Sequence, residues 1–136
     1  MSGLHNVFTY ARDALMGRNH HKRGNPRFVM LLHTIIDSDA YKACNSKARD
    51  VYVCLLRNYN GHNNGYIGYG VREAAKFANC SNNTAALALK RLEEVGLIKC
   101  IKLSKFATKK IAREWAITHE PVDKQAPTNE WRHFKK

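Results

Sequence analysis

Residues 71–98 read VREAAKFANCSNNTAALALKRLEEVGLI, a stretch with the grammar of two helices joined by a tight turn and closed by a glycine. Ala74, Ala75 and Ala78 recur at helical spacing, so the sequence predicts a helix over about 71–78 whose small-residue face lets another helix come close. Asn79, Cys80 and Ser81 form the expected turn. Asparagine tolerates left-handed backbone geometry, and Ser81 or Asn82 can accept a hydrogen bond from the first free N–H groups of a second helix. That second helix, over about 82–95, turns Ala85, Ala88, Leu89 and Leu92 inward, and Gly96 sits just past its end. Such a pair is a helix-turn-helix, whose second helix lies in the DNA major groove in many proteins.

Downstream the periodicity changes. Residues 97–103 are β-prone, 104–110 form a polar, basic turn containing Phe106, and 111–118 are a second β-prone run with Trp115 and Ile117 on one face. A hairpin directly after the second helix is a wing, and the brief extended segment 66–68 is placed to supply its third strand. The expected fold is therefore α+β and mainly helical: a winged helix-turn-helix with a C-terminal β-hairpin wing.

Upstream, FVMLLHTII at 28–36 is too short for a membrane span and too continuous for an exposed helix, so it is expected in the core. Asp37-Ser38 offers a cap for a short helix through Ala40, Tyr41 and Cys44. Asn45-Ser46 caps a longer one, in which Ala48, Val51, Tyr52, Leu55, Leu56 and Tyr59 make an inward stripe until Asn60-Gly61 ends it. Residues 28–120 thus make one domain, a size that suits the 136-residue chain.

Residues 1–27 carry a modest amphipathic run over 4–16, with Val7, Phe8, Ala11, Ala14 and Leu15 on its apolar side, and then GRNHHKRGNPR. Arg18, Lys22, Arg23 and Arg27 are either a basic arm that reaches phosphates or a minor groove, or part of a solvated linker. In the tail, 121–136, Thr128 can cap a last helical turn bearing Trp131 and Phe134. Two large aromatics seldom stay in water, so the tail is expected to pack on the domain or on a partner.

Lys plus Arg outnumber Asp plus Glu by 23 to 11, a formal charge of +12 that favours a polyanionic partner. The widely spaced Cys44, Cys54, Cys80 and Cys100 include no CxxC pair and read as buried, reduced thiols; no metal or cofactor is expected. The N-terminus has no apolar run of signal-peptide length and no segment is long enough to cross a bilayer, which points to a cytoplasmic protein without a membrane partner.

Opposite the inward positions of the second helix lie Ser81, Asn82, Asn83, Thr84 and Leu87 as candidates for base reading. Asparagine can pair in two places with adenine, and threonine can bond to bases or phosphate. Lys90 and Arg91, with Lys102, Lys105, Lys109 and Lys110 of the wing, are the candidate phosphate contacts. The bland reading of the wing is a solvated basic edge that discourages strand pairing. Leu87 fits a polar reading surface poorly: it either touches a thymine methyl or is covered by the N-terminal segment or a second subunit. No phosphate-cradling glycine loop, nucleophile elbow or paired carboxylate appears, so no catalysis is expected.

The segment from RFVMLLHTIID through NYNGHNNG, REAA and NTAA to GLIKC, followed by FATKKIAREWAITHE, resembles small bacterial winged-helix proteins encoded on plasmids, prophages and other mobile elements. The likeness covers about 27–120. It implies that NYNGHNNG joins the long helix to the short strand, that REAA opens the helix-turn-helix and NTAA its recognition helix, and that EWAIT is the last wing strand. It also implies binding to double-stranded DNA, with or without a homodimer, as a transcriptional regulator of mobile-element genes. In outline the segment is similar as well to the DNA-binding part of replication initiators. Rival functions are a replication or partition accessory and a winged-helix protein-interaction module. Two departures stand out: Asn79 where many helix-turn-helix proteins have glycine, and Gly70 in place of a hydroxyl cap.

Overall fold

Two cap residues divide the first half of the chain into helices. A computed structural model describes residues 26–101 and 113–135, together with the backbone but not the side chain of Lys102. Helix α1 (His33–Ile36) hands over to α2 (Asp39–Lys42) at Ser38, whose Oγ donates to the Ile35 carbonyl at 2.6 Å and accepts from the Tyr41 N–H at 3.1 Å. Asn45 then opens α3 (Ser46–Asn58), its Oδ1 accepting from the Ala48 N–H at 2.9 Å. The stripe Ala48, Val51, Tyr52, Leu55 and Leu56 is buried as expected, with Cys54 beside it, while Tyr59 is half-buried just past the helix end.

The apolar run 28–36 departs from expectation. Ile35 is its one fully buried side chain; Phe28 is 41 % exposed, Ile36 37 %, and residues 29–32 are half-buried. Residues 26–32 form neither helix nor ladder, and an irregular segment laid along the helices can bury only one side of itself.

After α3 a loop folds on its own side chains: Asn60 Oδ1 accepts from the N–H groups of His62 and Asn63, and Asn63 Nδ2 donates to the Asn58 carbonyl. It delivers β1 (Ile67–Gly68), followed by α4 (Val71–Ala78), α5 (Asn82–Glu94), β2 (Ile98–Lys102) and β3 (Glu114–Ile117). The antiparallel sheet has the order β1-β3-β2, with Ile67 opposite Trp115 and Ile98 opposite Ile117, and an irregularity between Cys100 and Lys102. The short segment before the helix pair is indeed the third strand. Trp115, Ala116 and Ile117 of the central strand are all buried, and Trp115 Nε1 donates to the Tyr69 carbonyl at 3.1 Å.

The tail returns to this body. Asn129 N–H donates to the Thr118 carbonyl at 2.8 Å, and Trp131, in a 3₁₀ turn over Glu130–His133, joins the core at 6 % exposure. Thr128 does not cap that turn. Asn129 precedes it, in the left-handed region at φ 50°, without a side-chain cap bond, because its Oδ1 accepts from Trp131 Nε1 instead.

The cysteines also need a correction: Cys44 and Cys54 are buried, but Cys80 and Cys100 are only half-buried. The amphipathic run at 4–16, the arm residues Arg18, Lys22 and Arg23, and Phe106, Lys105, Lys109 and Lys110 of the hairpin tip lie outside the described residues.

Candidate functional site

Three small side chains build the floor of the site. Ala74, Ala75 and Ala78 of α4 are buried, which lets α4 lie close to both α3 and α5. The helix starts at Gly70 without a side-chain cap and stops at Asn79, which takes φ 54°, ψ 56° while the Cys80 N–H donates to the Ala75 carbonyl at 3.0 Å. Here asparagine serves where glycine is commoner, its short side chain tolerating the left-handed region. From α3, Lys47 Nζ donates to the Ala78 carbonyl at 2.7 Å, so a cation sits at the negative end of α4.

Ser81 then opens α5. Its Oγ accepts from the Thr84 N–H at 3.1 Å and donates to Thr84 Oγ1 at 3.0 Å, which ties the two hydroxyls together. The capping work falls to Ser81, and Asn82 and Asn83 project exposed from the first turn. Ala85, Ala88, Leu89 and Leu92 are buried on the opposite face. At the far end Leu97 N–H donates to the Leu92 carbonyl and Gly96 N–H to the Glu93 carbonyl, with Gly96 at φ 87°. This is a Schellman stop, and Leu92 and Leu97 are both fully buried beneath it.

Of the outward residues, Lys90 is exposed and Leu87 is 57 % exposed. Leu87 lines an open cleft of about 370 Å³ where α5 faces the α2–α3 junction, with Ala43, Asn45, Thr84, Ala88 and Lys90 around it. Arg91 is placed differently. Its Nε donates to the Ala43 carbonyl at 3.3 Å, its Nη1 lies 3.5 Å from Glu94 Oε1, and its guanidinium stands 5.5 Å over the Phe134 ring. Arg27 and Arg113 are exposed, and Lys99 on β2 faces Glu130 at 3.5 Å.

Arg72 and Lys76, exposed on α4, are cations of the same helix pair that the sequence reading passed over. Their i, i+4 spacing, set against Ala74, Ala75 and Ala78, was the available signal.

Behind the site, His119 lies 3.4 Å from Tyr52 Oη, and burial pushes its imidazole pKa down to about 4, so it is neutral near pH 7. Burial also raises the neighbouring Glu120 carboxyl. Both belong to the packing between α3 and the end of β3. Among the described residues no group of three His, Cys, Asp or Glu side chains is placed to hold a metal ion, and no helix is long and apolar enough to cross a membrane.

No protein-family model, curated protein or solved structure matches this chain.

Proposed function

We propose that the chain is a winged helix-turn-helix protein that binds double-stranded DNA sequence-specifically and regulates transcription. The observation that carries this is the division of labour at the start of α5: Ser81 caps the helix, and the two asparagines beside it stand exposed at its amino end. In helix-turn-helix complexes that end of the second helix is nearest the base edges, where asparagine can bond to adenine in two places. The sheet order β1-β3-β2 supports the reading, because it sets a hairpin directly after α5 and a short strand before α4. So does the charge of +12.

In this reading Asn82, Asn83 and Thr84 read bases, Leu87 meets a thymine methyl, and Lys90 with Lys102, Lys105, Lys109 and Lys110 holds phosphates. Control of mobile-element genes rests on the family resemblance alone, and residence in the cytoplasm on the sequence expectation drawn from its short apolar runs. Selection from a randomised duplex library tests the proposal. The chain should enrich one motif, and Asn83→Ala should change the motif more than the total affinity. Replacing Lys109 and Lys110 should weaken binding to all duplexes alike and lower the salt slope by about one unit per lost contact. Failure to retain any duplex at moderate salt would sink the reading. A stable protein complex that requires the exposed Leu87 and Phe77 would then favour a protein-interaction module.

A further inference from the structure

We propose that residues 126–135 form a strap that sets how α5 is seated, and that Arg91 is a positioning residue for the reading end of that helix, not a phosphate ligand; the second half rests on the DNA-binding reading above.

The strap holds the carboxyl half of α5 at two levels. At the helix stop, Gly96 has no side chain, and a Cβ built there would lie 2.7 Å from the Glu130 carbonyl carbon. More than one turn back along the helix, the Phe134 ring lies under the Arg91 guanidinium. Trp131, between these two contacts in sequence, is buried in the core, and its 3₁₀ turn packs on α2.

Arg91 is also part of an arginine cap on α2. Arg49 donates to the carbonyls of Tyr41 and Lys42 at 3.2 and 3.3 Å, and Arg91 donates to the next one, Ala43, at 3.3 Å. The last carbonyls of a helix lack partners within it, and cations are favoured there. A guanidinium suits this task because its planar fork can bond sideways while its face stacks on an aromatic ring; an ammonium cannot do both. One residue earlier, Lys90 is exposed and has no such engagement among the described residues, so the phosphate role falls to it. The Arg91 side chain remains 42 % exposed, which leaves a phosphate contact sterically open and makes the assignment testable.

The test uses the full chain and the duplex it selects from a randomised library, with affinity measured across a salt series. Lys90→Ala should flatten the dependence of log K on log salt by about 0.9. Arg91→Lys keeps the charge and Phe134→Ala touches none, yet each should weaken the selected duplex about tenfold at unchanged slope, and the double variant should be no weaker than the worse single. Hydrogen exchange without DNA should quicken over 85–95 in both variants. Wild-type affinity in Arg91→Lys, or a slope lowered by about 0.9 in Arg91→Gln beside a neutral Phe134→Ala, overturns the positioning role. Unaltered exchange in both variants overturns the strap. If no duplex is selected at all, the positioning role falls together with the DNA-binding reading, and the exchange result alone decides the strap.

Discussion

Asn64 bonds to both backbone groups of Ile117: its Oδ1 accepts from the Ile117 N–H at 2.6 Å and its Nδ2 donates to the Ile117 carbonyl at 2.9 Å. A side-chain amide thereby does what a paired strand residue would do, and continues along β3 the ladder that β1 makes with it. The same Nδ2 also reaches the carbonyls of Glu120 and Pro121, and the residue is 3 % exposed.

Removing that amide leaves the buried Ile117 N–H without its acceptor and takes a donor from three carbonyls, of which that of Ile117 keeps the Glu120 N–H at 3.3 Å; the stranded N–H is a desolvation cost with no return. Asn64→Ala should therefore lower unfolding stability by about 2–4 kcal/mol in urea titration. Asn64→Asp should do no better at pH 7, since it keeps the acceptor but sets a carboxylate among carbonyls. A loss under half a kcal/mol in the alanine variant would show that solvent reaches those groups.

Two glycines separate backbone strain from steric contact. Gly61 and Gly96 both have φ near 90°, but a Cβ on Gly61 would meet nothing within 4 Å, whereas one on Gly96 would run into the Glu130 backbone. Gly61→Ala should cost about 1 kcal/mol from conformation alone, and Gly96→Ala clearly more, about 2–4 kcal/mol, with red-shifted tryptophan emission as Trp131 leaves the core. Equal losses in the two variants would mean that the tail yields at no cost.

His119 makes stability depend on pH. Its folded-state pKa is about 4 against 6.5 for the free side chain, so between those values the unfolded chain takes up a proton that the folded chain refuses. The stability is fully present above pH 6.5 and is lost as pH falls toward 4, by at most about 1.4 kcal/mol per pH unit. Glu120 acts in the opposite sense, because its raised pKa favours the folded state at low pH and costs stability as pH rises through it. Urea midpoints from pH 7 to 4.5 should fall more steeply for wild type than for His119→Gln; parallel curves would remove His119 as the cause.

Capping and reading should separate at the start of α5. Ser81→Ala should lower stability by about 1 kcal/mol, as the loss of an N-cap does, while the selected DNA motif stays the same. Asn83→Ala should leave the melting temperature within about a degree, because an exposed side chain away from any cap contributes little, and should change the motif instead. Thermal melts and library selection on the same two variants check both halves. A motif altered by Ser81→Ala as much as by Asn83→Ala would place base reading on the cap residue as well.

The helix pair was legible in the chain because its signals are local. The alanine face of α4, the serine cap, the αL asparagine and the glycine stop each act within a few residues through backbone geometry and hydrogen bonding, and their boundaries fall where those residues stand. Hydrophobic periodicity likewise marked the α3 stripe, and the loss of helical periodicity in β-prone runs after Gly96 marked the hairpin strands. Apolar content alone misled over residues 28–36, since hydrophobicity says that a segment seeks cover but not how much the fold has to offer.

Side-chain roles that depend on distant partners could not be read that way. Arg91 next to Lys90 looks like one of two equivalent cations until Ala43 and Phe134, far away in the chain, come up against it. Asn64 looks like a turn former until β3 passes beside it, and Trp131 reads as an aromatic that must pack on the domain or on a partner until Thr118 draws the tail back onto the domain. Local backbone preference settles where helices and turns begin and end, whereas long-range packing decides which polar groups are used up inside the protein and which are left for a partner.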